Sequence, residues 1–314
     1  MAWSNVGFMG KLHGMNGPST VEPKNNAFLK TYGRSMKPEG MDGPIDLLIY
    51  RPIGFAIAWC LSFTRVSPNA VTLVSALLGI AAGVCAMPGT ASAFLVCALL
   101  YQAYNCFDCA DGQLARLTGR YSKEGRIFDG AADYTVNVCL CLGSLVGLVR
   151  SGQNRLVALA VVAAGGLAMA FSCLIFDKVI MRYAKFVEGG GDDDAAEIRE
   201  ARESAASAKG ILRVLWRIYA FYLGIQSGKM ARIPAVADSS ASRKAYADYL
   251  KPLIKAWSFA GPSAYVLYFL IFAAVGKVLL FFYASIIIAI ASLLFLGTQQ
   301  LFDMRFAAKY LVKD

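Results

Sequence analysis

The sequence predicts an all-α integral membrane protein with six transmembrane helices and an N-terminal interfacial amphipathic helix. Three observations predict it. The 314 residues are 57% hydrophobic, with a mean hydropathy of +0.50, too apolar for an ordinary soluble domain. Charged residues make up only 17% and are segregated between long apolar runs. Several of those runs approach the roughly 20 residues that a helix needs to cross a bilayer.

The spans fall at roughly 70–87, 92–114, 126–149, 156–180, 259–276 and 278–300. Before them, residues 45–63 are apolar but interrupted by Arg51-Pro52 and Gly54, which favours a helix lying in the membrane interface. Residues 1–36 contain Gly, Asn and Pro without an apolar run, so they predict a poorly ordered tail with no signal peptide. Glu188-Gly189-Gly190-Gly191 predicts a flexible joint, and the Ala-, Glu- and Arg-rich run 195–209 a polar helix. Asp192 to Asp194 read as solvated linker. In 211–225, aromatics stand among basic residues, as in a helix dipping into the cytoplasmic leaflet. Four regions follow: a tail (1–44), the interfacial helix and first four spans (45–187), a cytoplasmic linker (188–258), and the last two spans with the C-terminal tail (259–314).

Of the 31 Lys and Arg, only Arg150, Arg155 and Lys277 fall in loops assigned outside. The positive-inside rule therefore predicts that both termini face the cytoplasm. The net charge of +10 fits that rule and attraction to anionic lipid. A nucleic-acid binder would cluster basic and aromatic readers on a soluble fold, and this chain does not. Cys106 and Cys109 have C-x2-C spacing, but no second pair exists and the only histidine, His13, is remote. The eight cysteines read as reduced packing residues. With His13 alone, Ser-His-Asp and Cys-His mechanisms are disfavoured.

The chemistry concentrates in one short stretch. Asp108, Asp111, Asp129 and Asp133 are separated by three, eighteen and four positions. Residues three or four apart share a helical face, so the acids form two pairs. Thr118-Gly119-Arg120-Tyr121-Ser122 reads as the turn between two helices and would aim both pairs at one place. Four adjacent negative charges call for divalent cations, and carboxylate oxygens suit Mg²⁺ or Mn²⁺ rather than zinc. Gly112 and Gly125 leave room beside the acids, Ala115 keeps the face shallow, and Arg116 offers a fork for phosphate. Together they describe a phosphoryl-transfer site. The acids lie towards one membrane face, the cytoplasmic one by the topology above.

This stretch reads D-x2-D-G-x2-A-R-x8-G-x3-D-x3-D and resembles the CDP-alcohol phosphotransferase signature at all eight fixed positions. Ser67-Pro68-Asn69-Ala70-Val71-Thr72 resembles the family's Pro-Asn-x-x-Thr start to the first span, a pattern that a plain capped helix start would also give. The resemblance implies six membrane helices behind an interfacial helix, and transfer of a substituted phosphoryl group from a CDP-linked donor to an alcohol with release of CMP. It implies two Mg²⁺ (or Mn²⁺) ions on Asp108, Asp111 and Asp129, with Asp133 as general base that also touches a metal. Asn69, Asp108, Gly112, Ala115, Arg116 and Gly125 are the implied cytidine-diphosphate residues, and a homodimer is the implied assembly. Gly143, Ser144 and Gly147, with Ala163 to Gly166, suit close helix approach between subunits or within one. Lys178 and Arg182, one turn apart on the fourth span, are candidates for an acceptor phosphate.

CDP-diacylglycerol with a small polar alcohol is the preferred pairing; CDP-choline or CDP-ethanolamine with a lipid alcohol stays open. Tyr134 stands where phosphatidylglycerophosphate-type enzymes tend to have Lys, which weakens that assignment. An intramembrane prenyltransferase would carry N-D-x2-D-x3-D, but Cys106 follows Asn105. A cation transporter would favour acids near the midplane. Acids that merely fix a turn against Arg116, Arg120, Lys123 and Arg126 would leave the glycines unexplained.

Overall fold

The computed structural model describes residues 24–188 except Glu39, 194–210, a few positions between 213 and 224, and 240–310. It is all-α. Six of its helical segments are long and apolar enough to cross a membrane: Pro68–Ala86, Ala91–Thr118, Glu124–Arg150, Arg155–Met181, Asp248–Ala274 and Val278–Asp303.

The chain begins with α1 (Lys24–Ser35), then a π-helical turn (Asp46–Tyr50) runs into α2 (Arg51–Ser62). The expected poorly ordered tail is therefore corrected over 24–35. Aromatic side chains that carry no membrane-spanning signal fix α1: Phe28 and Tyr32 pack edge-on against Phe55, and Phe28 against Trp59. Arg51 and Pro52 sit inside the continuous helical stretch that the π-helical turn and α2 form, and the stretch is not one of the six candidate spans. Exposed Leu48, Ile53 and Phe63 give this segment the apolar face an interfacial helix needs.

Local sequence sets each span's ends. Ser67 caps α3 (Pro68–Ala86) by accepting from the Ala70 amide, with Pro68 in the first turn. Thr90 caps α4 (Ala91–Thr118) in the same way. Gly119, at φ 67°, ends α4 in the left-handed conformation. Three residues later Ser122 caps α5 (Lys123–Arg150) through the Gly125 amide. Next come α6 (Arg155–Glu188), α7 (Asp194–Ser207) and α8 (Ser240–Trp257). The helix of the fifth span, expected at 259–276 with its start at Gly261-Pro262-Ser263, begins at Pro262. A 3-10 turn at Ser258–Ala260 joins α8 to α9 (Pro262–Ala274), because Gly261-Pro262 starts a new helix rather than continuing the old one. The last helix, α10 (Val278–Tyr310), runs past the expected end at 300.

Around α4 pack α2, α3 and α9, while α10 lies along α6. Tyr101, Phe269 and Phe281 interlock edge to face in the shared core. Backbones of α3 and α5 touch at Gly83 and Gly143, where an added Cβ would strike the opposite carbonyl. Gly147 lies against Ala86, and Gly165 against Phe282 of α10. These small residues are thus used within the chain. The eight cysteines are free. The polar helix expected at 195–209 is α7, whose Ala201 and Ala205 cluster with Trp216, Tyr219 and Ile127. Most of the interfacial helix expected at 211–225 lies outside the described residues, as do Asp192 and Asp193.

Candidate active site

Helices α4 and α5 meet at the tight turn Gly119–Ser122 and carry the four aspartates. Carboxylate oxygens of Asp108, Asp111 and Asp129 lie within 4.8 Å of one another. One turn deeper on α5, Asp133 lines the same cavity as those three. The cavity holds about 550 Å³. Asp111, Asp129 and Asp133 are buried.

Hydroxyl groups on other elements orient these acids. Thr72 Oγ1 of α3 donates to Asp111 Oδ2 at 2.5 Å. Tyr104 OH of α4 donates to Asp133 Oδ1 at 2.5 Å. The Asn137 amide donates to the Asp133 carbonyl and accepts from Tyr101 OH, which steadies that stretch of α5. Sequence reasoning gave Thr72 a place at the head of the span but no task, and it missed Tyr104. Tyr104 lies four residues before Asp108, on the same face of an apolar helix, and that spacing was the available signal.

The cavity's opposite wall comes from the end of the segment expected to be a tail and from the start of the expected interfacial helix. Lys37, Asp42, Asp46 and Arg51 face it. Arg51 donates to Asp42 Oδ1 through Nη2 at 2.7 Å and Nε at 3.1 Å. Their side chains are only 5% and 6% exposed. Burial alone would raise the Asp42 pKa, but Arg51 and Lys37 hold it below the usual carboxylate range. Burial, then the Arg51 charge, lowers Lys37 from the usual lysine range. Arg116 lines the cavity. Its Nε donates to the Ser35 carbonyl at 2.5 Å, while its buried Nη2 meets no protein acceptor. Gln113 also reaches this segment, donating to Ser35 Oγ and the Arg51 carbonyl.

The remaining residues marked from sequence divide. Gly112 lines the cavity beside the acids, while Ala115, Gly125 and Asn69 lie outside its lining. The space expected at Gly125 is filled: a Cβ there would meet Asn69 Oδ1 at 2.6 Å and Ser122 Oγ at 2.7 Å. Gly125 therefore lets α3 and α5 close, and Asn69 is exposed at their junction. Half-buried Lys178 lies outside the cavity lining, which Asp177 and Met181 supply instead. The side chain of Arg182 lies outside the described residues.

Away from the acids the cavity becomes apolar, running between α5 and α6 past Val138, Cys141, Leu142, Leu145, Val162 and Met169. It thus joins a carboxylate cluster, a mixed-charge wall and a greasy slot. Three convergent carboxylates offer hard oxygen donors of the kind Mg²⁺ and Mn²⁺ prefer, so the residues present fit such ions.

Residues 65–188 match the family model described as CDP-alcohol phosphatidyltransferase. The match runs from just before α3 to the end of α6 and includes all four aspartates. No curated protein matches the chain.

Proposed function

From the CDP-alcohol phosphatidyltransferase domain at residues 65–188, a family whose members transfer substituted phosphate groups, we propose that this membrane protein moves a phosphatidyl group from CDP-diacylglycerol to a small polar alcohol and releases CMP. The observation that carries the choice of donor is the continuity of the cavity. The acid cluster opens directly into the apolar slot between α5 and α6, so one molecule can place a diphosphate at the acids and acyl chains in the slot. The reverse pairing, a soluble CDP-alcohol with a lipid acceptor, would divide the two compartments between two molecules and is the second reading.

Asp108, Asp111 and Asp129 would hold the divalent cations, two Mg²⁺ or Mn²⁺ in this reading, with Asp133 near enough to touch one. Bound there, the cations supply positive charge to the diphosphate and to the departing CMP. The protein's own groups do the rest. Gly112 leaves space beside the acids, and Arg116 turns its buried Nη2 towards phosphate. Tyr104 holds Asp133 so that its carboxylate takes the proton from the acceptor hydroxyl. The hydroxyl oxygen bonds to the phosphorus bearing diacylglycerol, the bond from that phosphorus to the CMP oxygen breaks, and the proton leaves through Asp133. An ordinary carboxylate, with a pKa of about 3.9, is a weak base, so the rate comes mainly from alignment and charge.

Lys37 lines the cavity on the wall that faces the acids, and we place the acceptor's polar groups near it rather than at Lys178. Contacts of Asn69, Ala115 and Gly125 with the cytidine rest on the family resemblance, and so does a homodimer. The distribution of Lys and Arg supports a cytoplasmic site and cytoplasmic termini. A substrate panel tests the reading: purified protein receives each CDP donor with each alcohol, and CMP is measured. CMP from CDP-diacylglycerol with a small polar alcohol is expected. CMP only from CDP-choline or CDP-ethanolamine with diacylglycerol would reverse the donor assignment.

A further inference from the structure

Asn105 sits on α4 one turn before Asp108, about 4.5 Å along the axis and further from the turn that joins α4 to α5. Its side chain is buried, at 4% exposure. The cavity touches it, yet its Nδ2 donor meets no acceptor in the protein. Two neighbouring hydroxyls are already engaged: Tyr104 OH with Asp133, and Tyr101 OH with Asn137. A buried amide donor left unmatched costs free energy, and native proteins rarely leave one without a reason.

Its position says which group would match it. On one side lie the acids and Arg116, which suit a diphosphate. On the other lie Val138, Leu142 and Met169, which suit hydrocarbon. Asn105 stands at the boundary. Its amide is neutral, so it suits an uncharged oxygen better than a phosphate, whose charge calls for arginine or metal. In a glycerolipid, uncharged oxygens lie where the head joins the chains.

We propose that Asn105 is a binding residue for the lipid half of the substrate, its amide N–H donating to an ester or glycerol oxygen at the junction of head and acyl chains. This rests on the reading that the lipid enters as CDP-diacylglycerol. It gives the α4 helix two tasks one turn apart, with Asp108 serving the head and Asn105 the backbone of the lipid.

The test compares equilibrium binding of two probes in detergent by wild-type protein and Asn105→Leu, with Mn²⁺ present. CDP-dioleoylglycerol carries the junction oxygens, whereas CDP-hexadecanol has the same diphosphate and a chain but lacks them. Losing one hydrogen bond predicts a Kd about 10-fold higher for CDP-dioleoylglycerol in Asn105→Leu. CDP-hexadecanol should change less than about twofold, which also shows that the variant folds. Equal weakening of both probes would mean that the amide meets the diphosphate, and would overturn the proposal. No weakening of either would mean that only water meets it, and would overturn the proposal as well. Weaker Mn²⁺ binding in Asn105→Leu would make Asn105 a metal neighbour and overturn it too. If wild-type protein does not bind CDP-dioleoylglycerol, both the proposal and the donor assignment fall. If it binds but releases no CMP with any alcohol, the functional reading falls alone, and the two Kd ratios still decide Asn105.

Discussion

Two walls face each other across the cavity, and they handle buried charge in opposite ways. On the α4–α5 wall, three carboxylates converge within 4.8 Å, and the groups that orient them include neutral hydroxyls of Thr72 and Tyr104. Hydroxyls fix direction without cancelling charge. On the facing wall, Asp42 takes two hydrogen bonds from Arg51, and its charge is met where it stands. The first wall gathers like charges, whereas the second pairs its Asp42 and Arg51 charges within the protein. Concentrated like charge costs stability and is kept at functional sites. A matched buried pair adds little by itself, but breaking it strands a charge. Mutation should therefore separate the walls, with activity lost on one and stability on the other.

The largest effect is expected on the acid wall. Asp111→Asn and Asp129→Asn should each lower CMP release by about 10³-fold or more, comparable with losing one strong electrostatic stabiliser, and should weaken Mn²⁺ binding. Their melting temperatures in detergent should stay level or rise, because each removes a repelling charge. A clear fall in melting temperature would make the acids structural and erase the contrast.

On the facing wall, Arg51→Met should destabilise the protein by about 3–5 kcal/mol by stranding Asp42. The double variant Arg51→Met with Asp42→Leu should recover most of that loss. Equal damage in single and double variants would show that the pair is not the unit. The pair also predicts a pH dependence. The folded-state pKa of Asp42 is depressed, so the stability it contributes is fully present above the unfolded value of about 3.9. That contribution is lost as pH falls through the lower folded value. Thermal melts of wild type minus the double variant should be flat from about pH 5 to 8 and decline only in stronger acid.

The sequence was most legible where physics is local. Apolar runs mark the spans, and the 3- and 4-residue spacings place each pair of aspartates on one face. Ser67, Thr90, Gly119 and Ser122 stand at helix ends in the patterns that caps require. Lys37 and Asp42 of the facing wall were hidden because they follow α1, which gains its stability from packing Phe28 and Tyr32 on α2, a tertiary effect with little signal in a short polar segment. Thr72 and Asp111 are 39 positions apart, and only the fold makes them neighbours. At Gly125 the signature implied open space, but the glycine accommodates Asn69. Small residues permit close approach without stating what approaches.

Smaller effects should follow at the hydroxyls that orient the acids. Thr72→Val should lower Mn²⁺ affinity about 10-fold or slightly more, as for other groups that position metal ligands, with little change in melting temperature. Unchanged affinity would reduce the Thr72–Asp111 bond to packing. Tyr104→Phe should lower kcat about 10-fold while KM for the donor moves little, if Asp133, which Tyr104 holds, is the proton acceptor as proposed. A change confined to KM would place Tyr104 in substrate binding instead.

The most direct measurement is CMP release from CDP-diacylglycerol by purified protein stripped of metal and titrated with Mg²⁺ or Mn²⁺. If the acid wall gathers charge in order to receive cations, release should be absent with chelator, return with added metal, and stay absent in Asp129→Asn at every metal concentration. Release at the full rate in metal-depleted buffer would contradict the account.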